Sequence, residues 1–221
     1  MTVCWEKISS RLWRSMSMSR EEIQTLETEK DLWSRITVIT NRKLAIRPFL
    51  DQIEILCQKG PERILLREKD LDLPEYEKLA EEVKEICDRY QVPFYCHTYP
   101  EASVKTGARG LQLPLPVFRE TGRQGLDQKI ILGCSVHSVR EAREAETLGA
   151  DYVIAGHIYA TDCKKGLPPR GLEFLEEICR SVSLPVYAIG GIRLDREQIE
   201  KTLAAGARGV CVMSGAMTCE S

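Results

Sequence analysis

The stretch Gly206-Ala207-Arg208-Gly209-Val210 repeats a pattern met twice earlier, as Gly107-Ala108-Arg109-Gly110-Leu111 and as Gly149-Ala150-Asp151-Tyr152-Val153. In each copy a glycine follows a helical pattern, where it acts as a left-handed cap, and a short apolar run starts at once. Three copies of one helix-to-strand junction imply a chain built from βα units. Working outward from them, strands are expected at Ile36 to Thr40, Arg63 to Leu66, Val92 to Cys96, Gly110 to Leu113, within Lys129 to Val136, and at Asp151 to Ala155, Leu184 to Ile189 and Arg208 to Met213. Helical stripes separate them. Phe49, Ile53, Leu56 and Cys57 form one, and Tyr76, Leu79, Val83, Ile86 and Tyr90 another. Ser138 and Glu141 read as a capping box ahead of a stripe of Val139, Ala142, Ala145 and Leu148. Eight strands alternating with helices imply a parallel sheet, closed or doubly wound.

Both ends depart from regularity. Eight residues follow Met213, too few for a full last helix. The first 33 residues exceed what the repeat needs and form an N-terminal helical extension, with Glu21 to Trp33 helical and covering the surface that a short or missing eighth helix leaves bare.

The chain of 221 residues is 43% hydrophobic, enough for one sizeable core. A net charge of -2 provides no field for nucleic acid or an acidic membrane, so a small molecule is the expected partner. No apolar run approaches the roughly 20 residues of a membrane span, and those near the N-terminus are too short for a signal peptide. The nine cysteines are odd in number and scattered, with no CxxC pair. That pattern fits free thiols in a reducing cytoplasm rather than a disulfide framework.

In a closed barrel, function lies in the loops after the strand carboxyl ends. Gly190-Gly191 and Ser214-Gly215 follow adjacent strands, the usual place of a barrel phosphate site, where glycine admits a phosphate close to backbone N–H groups. All three histidines, His97, His137 and His157, fall at strand ends, where imidazole suits proton transfer near neutral pH. Arg67 and Lys69 lie two apart on one face, able to grip an anion, with Glu68 and Asp70 on the other. Thr161-Asp162-Cys163-Lys164-Lys165-Gly166 with Pro168 and Pro169 reads as a mobile lid. No zinc-type ligand motif accompanies the histidines, so acid–base use is favoured over a metal.

Arg67-Glu68-Lys69-Asp70, Gly133-Cys134-Ser135-Val136-His137-Ser138, Ala188-Ile189-Gly190-Gly191-Ile192 and Val212-Met213-Ser214-Gly215 together resemble the thiamine-phosphate synthase superfamily over about residues 36 to 217. The resemblance implies an α/β fold, a (β/α)8 TIM barrel over residues 34–221 behind the 1–33 extension, with a truncated or missing eighth helix. Ser135-Val136-His137-Ser138, Gly156-His157 and Thr161-Asp162-Cys163-Lys164-Lys165-Gly166-Leu167 look like its thiazole tautomerase branch. The synthases carry a magnesium-binding Asn-Asp where this chain has His97-Thr98, and a second magnesium Asp where Leu113-Pro114-Leu115-Pro116-Val117 has no carboxylate. The resemblance therefore implies a thiazole tautomerase, an isomerase that needs neither metal nor cofactor. It shifts a proton to turn a non-aromatic thiazole carboxylate phosphate into its aromatic tautomer. His137 is then the catalytic acid–base. Gly190, Gly191, Met213 and Ser214 hold the phosphate, Thr161, Asp162 and Cys163 line the thiazole, and Arg67 and Lys69 take the carboxylate. Ser135 and Lys164 complete the site. A homodimer is expected. The alternatives are a thiamine-phosphate synthase, joining a pyrimidine pyrophosphate to a thiazole phosphate, and a non-catalytic regulator that binds thiamine phosphate.

Overall fold

Strands of four to six residues are too short to stand alone, and here each finds its sequence neighbours. A computed structural model describes residues 28–161 and 166–220. In it β1 (Ile36–Ile39), β2 (Arg63–Leu66), β3 (Phe94–His97), β4 (Gly110–Pro114), β5 (Ile131–Val136), β6 (Tyr152–Gly156), β7 (Val186–Ile189) and β8 (Gly209–Val212) form a closed parallel barrel in sequence order. Val210 of β8 pairs with Ile36 of β1 to close the ring. Around it run α1 (Phe49–Gln58), α2 (Leu73–Arg89), α3 (Pro100–Thr106), α4 (Leu115–Thr121), α5 (Val139–Thr147), α6 (Gly171–Ser181), α7 (Arg196–Ala204) and the short α8 (Ser214–Met217). The expected α/β barrel with a truncated eighth helix is what the chain forms.

Side chains alternate along each strand. One set faces the helices and joins the main core with Ile53, Leu56, Tyr76, Val83, Ala142, Ile178 and Ile199. The other set fills the barrel with Ile39, Leu65, Tyr95, Tyr152, Ile154, Tyr187 and Cys211. At the N-terminal end of β2 the buried Arg63 enters this interior. Its guanidinium lies 4.8, 4.9 and 4.4 Å from the ring centres of Tyr95, Tyr152 and Tyr187. It also pairs with Glu62 at 2.6 Å and touches the Tyr187 hydroxyl. The desolvated cation is thus compensated by three π faces and one carboxylate.

Three rings fit in an eight-stranded interior because neighbouring strands give up their side chains. A β-carbon on Gly110 would overlap the Tyr95 ring, and one on Gly133 would overlap both Tyr152 and the Gln112 amide. On Gly209 it would come within 2.9 Å of the Tyr187 ring and 2.8 Å of Arg35 O. In the repeated motif Gly110 and Gly209 therefore serve the barrel interior, while Gly107 and Gly206, at φ +64° and +100°, make the turn.

Outside the barrel, the helix starts follow their side chains. Asp72 and Glu75 form a complete capping box on α2. At α5 only half of the expected box forms. Ser138 Oγ accepts from Glu141 N at 3.1 Å, but the Glu141 carboxylate turns to the backbone N–H of His137 at 2.6 Å. Leu148, expected on the buried stripe, is 41% exposed, because α5 ends at Thr147 and the chain turns there. The short α8 is latched by the buried Gln52 of α1, whose Nε2 donates to Ala216 O at 2.8 Å and Cys219 O at 3.1 Å. Residues 28–33 are helical, Trp33 packs into the main core, and Thr28 O accepts from Arg196 at 2.7 Å. The rest of the expected extension, residues 1–27, lies outside the described residues. Among the described residues no helix is long and apolar enough to cross a membrane. The described cysteines are free thiols, with Cys57, Cys87, Cys96, Cys134 and Cys211 buried.

Overpacking a close-fitted core costs about 1–3 kcal/mol. Gly133→Ala is therefore expected to lower the melting temperature by about 3–10 °C for a chain of this size. A melting temperature of Gly133→Ala equal to that of wild type, measured by thermal unfolding, would remove the argument for tyrosine crowding.

Candidate functional site

The alternation that places Leu65 inside the barrel carries Arg67 and Lys69 onto the same side at its carboxyl-terminal mouth. Thr40 and Glu68, one step out of phase on β1 and β2, meet on the outer side. Glu68 is buried, and its carboxylate accepts from Thr40 Oγ1 at 2.7 Å, from Arg42 N at 3.0 and 3.1 Å, and from Arg42 Nη1 at 3.1 Å. Thr40 Oγ1 in turn accepts from the backbone N–H of Arg67 at 2.9 Å. Asp70 takes the fork of Arg42 at 2.7 and 2.8 Å and the ammonium of Lys43 at 2.9 Å. These cations hold its carboxyl well below the usual carboxylate range. Both acidic residues of the run are thereby consumed by the β1 loop, and the two bases are left at the mouth.

The remaining mouth residues follow from the same alternation on the other strands. His97 on β3 is 7% exposed. Its backbone N–H donates to the Tyr76 hydroxyl at 2.9 Å, and its Nδ1 lies 2.5 Å from Thr98 Oγ1. Burial, then the charges of Arg67 and Lys69, push its pKa down to about 3. The neighbouring charge of Arg67 likewise lowers the Lys69 ammonium. Thr98, a β-branched residue, sits at φ +73°, an unfavourable conformation of the kind found at functional rims. On β4 the buried Gln112 donates from Nε2 to Ser135 Oγ of β5 at 2.9 Å. On β8 the next inward position is Met213, with Sδ 4.0 Å from Arg67 Nη1.

His137 continues β5 past Val136 and is exposed, with Nδ1 3.5 Å from Glu141 Oε2. Gly190 and Gly191 follow β7 at φ +102° and +68°. Their lack of side chains has a packing cause beside the expected approach of a phosphate. A β-carbon on Gly190 would fall 2.8 Å from His157 Cα, and one on Gly191 2.8 Å from Tyr159 Cβ. The segment after β6 continues the sheet there, Ile158 N donating to Ile189 O and Tyr159 N to Gly190 O, each at 2.9 Å. Ser214 is exposed in the first turn of α8. Thr161 closes the described part of the β6 loop, and Asp162, Cys163 and Lys164 lie outside the described residues.

The structure thus brings Arg67, Lys69, Met213 and His97 together on one side of the mouth, and His157 against Gly190 on another. Two contributors escape the sequence reading. Gln112 carries a detectable signal, a lone amide between leucines at an inward position of β4. Thr40 carries none, since its role is made only by the pairing of β1 with β2.

The model of the family described as thiamine monophosphate synthase matches residues 36–216. Thiamine-phosphate synthase 2 of Streptococcus pneumoniae serotype 4 is 37% identical over 190 residues, covering 84% of this chain and 89% of that protein. Thiamine-phosphate synthase of Pyrococcus abyssi is 34% identical over 188 residues, covering 83% and 86%. Among solved structures, thiamine phosphate pyrophosphorylase from Pyrococcus furiosus superposes with a TM-score of 0.72 at 30% identity, covering 86% of this chain and 90% of that one. These findings overturn the expectation of a thiazole tautomerase. Relatives that match most of the chain bear the name of a synthase, an enzyme that transfers a group rather than an isomerase, and His137 loses the acid–base role that rested on the tautomerase reading. Fold, motifs and matched length agree that the chain belongs to the thiamine monophosphate synthase family.

Proposed function

We propose that this protein makes thiamine phosphate by joining a pyrimidine carried on diphosphate to a thiazole phosphate. The thiazole nitrogen attacks the carbon that bears the diphosphate, the carbon–oxygen bond breaks, and diphosphate leaves with the electron pair. Such a transfer asks the protein for alignment and for positive charge at the departing oxygens. The observation that carries the reading is the pair of cations Arg67 and Lys69 at the mouth, beside Glu68 and Asp70, which Arg42 and Lys43 engage. The guanidinium presents a planar fork to a phosphoryl group and the ammonium a mobile point charge. Gly190, Gly191, Met213 and Ser214 receive the thiazole phosphate, with Ser135 and Thr161 toward the ring.

The magnesium ion that the resemblance attaches to synthases does not fit these residues. His97 and Thr98 stand in place of its Asn-Asp pair, and Leu113 to Val117 bring no carboxylate. Glu68 is filled by Thr40 and Arg42, and Asp70 by Arg42 and Lys43. Among the described residues no three His, Cys, Asp or Glu side chains gather as a metal site. That donor set also favours a second reading, in which thiamine phosphate is bound as a signal without turnover.

Incubation with both substrates is expected to form thiamine phosphate, and Arg67→Met to lower kcat/KM by roughly 10- to 100-fold, the value of a hydrogen bond to a charged group. Binding of thiamine phosphate with no product from the two substrates would transfer the case to the second reading. Absence of both would sink the two together. A further expectation concerns pH. His97 titrates near 3 when folded against 6.5 normally, so the unfolded chain takes up a proton that the folded one refuses. Its contribution to stability is full above pH 6.5 and is lost as pH falls from 6.5 to 3. Denaturant unfolding at steps across that window is expected to show a shallower decline for His97→Gln than for wild type. Parallel curves would refute the buried, neutral His97.

A further inference from the structure

His157 is one of the three histidines at the strand ends, and the reaction above leaves it without a task. It is 6% exposed, yet among the described residues neither Nδ1 nor Nε2 has a hydrogen-bond partner. An imidazole has at least one N–H donor in every protonation state, and a buried donor with no acceptor costs about 1–3 kcal/mol. The protein does not move the ring to relieve this. Its backbone is clamped on both sides, His157 O accepting from Arg170 N at 3.1 Å and the next residue donating to Ile189 O at 2.9 Å. The ring is rooted against Gly190, which has no side chain to separate the two. A histidine fixed beside the glycine pair, desolvated and unsatisfied, is prepared for a group that arrives with a ligand.

We infer that His157 donates a ring N–H to the phosphate monoester of the thiazole ligand, so that this side chain, and not glycine backbone alone, distinguishes the phosphorylated thiazole from its alcohol. The inference rests on the reading that the phosphate lies at Gly190-Gly191. A monoester dianion supplies strong acceptors in a buried setting, where a charge-assisted hydrogen bond is about twice as strong as a neutral one. The alcohol lacks that charge and reaches the ring weakly.

The test measures binding of thiazole phosphate and of the unphosphorylated thiazole alcohol by calorimetry, in wild type, His157→Phe and His157→Gln. The expected result is a 10- to 100-fold loss of phosphate affinity in His157→Phe with alcohol affinity unchanged. His157→Gln, which keeps an N–H donor, is expected to recover part of it. In wild type labelled with 15N-histidine, a His157 ring signal is expected to shift on addition of thiazole phosphate. Equal loss for both ligands in His157→Phe, or a ring signal that stays put while thiazole phosphate binds, would overturn the inference and leave the phosphate site standing. A wild type that fails to prefer the phosphate over the alcohol would overturn the phosphate site itself, and the inference with it. Should His157→Phe not fold, His157→Gln and the labelled wild type decide the matter.

Discussion

The interior of an eight-stranded barrel is barely wide enough for the side chains that fill it, and this chain places three tyrosines and an arginine there. Each ring needs a strand position with no side chain beside it, which Gly110, Gly133 and Gly209 supply. The arginine needs its charge compensated, which the ring faces and Glu62 supply. With the lower end of the barrel plugged by these groups, the inward residues of the upper end open toward the loops. The register that brings Tyr95 beside Gly110 and Tyr152 beside Gly133 also brings His97 beside Gln112 and Ser135 beside Ile154. A slip of one residue on any strand would reverse its inward and outward sets, disrupting the plug and the mouth at once.

Charge at the mouth is arranged by removal of counter-charge. In the run Arg67-Glu68-Lys69-Asp70 the signs alternate, and as an exposed stretch it would have almost no net field. Pairing of β1 with β2 sets the Arg42 and Lys43 loop against Glu68 and Asp70, so the acids are neutralised on the outer side. Arg67 and Lys69 then lie next to one another. The charge of Arg67 lowers the Lys69 ammonium, and burial, followed by the charges of both bases, lowers the His97 imidazole. A site held at this tension welcomes a polyanion, and diphosphate is the polyanion that the proposed reaction releases.

The glycines after β7 show how one residue type can meet two demands. Gly190 and Gly191 are compatible with a phosphate approaching the backbone, and they are also required by the segment from His157 to Ala160, which packs where their side chains would stand. That close packing buries His157 and orients the loop after β6. The expectation of a tautomerase rested on loops that look like that branch, around His137, His157 and the run from Thr161 to Leu167, and on departures from synthases at His97-Thr98 and at Leu113 to Val117. Similarity across more than four-fifths of the chain points to synthases instead. His137 is exposed just before α5, with Nδ1 3.5 Å from Glu141 Oε2 of that helix.

Period and punctuation in the sequence determined the strands to within two residues, the alternating βα order, the short last helix and the strand ends as the place to look, because these depend on local alternation, helical spacing and cap glycines. They left the sheet closed or doubly wound, and the pairing of β8 with β1 closes it. The two-residue spacing of Arg67 and Lys69 was legible for the same reason. Other features were decided only by the fold. That Thr40 anchors Arg67, that Glu68 is consumed by Arg42 and that Gln112 reaches Ser135 depend on contacts between strands or loops up to 27 residues apart along the chain, and that the ring of His157 has no hydrogen-bond partner among the described residues depends on the packing after β6. Local pattern states which face a side chain takes. Only closure of the barrel states which other side chain waits on that face, because hydrogen bonding and desolvation act through space and not along the chain.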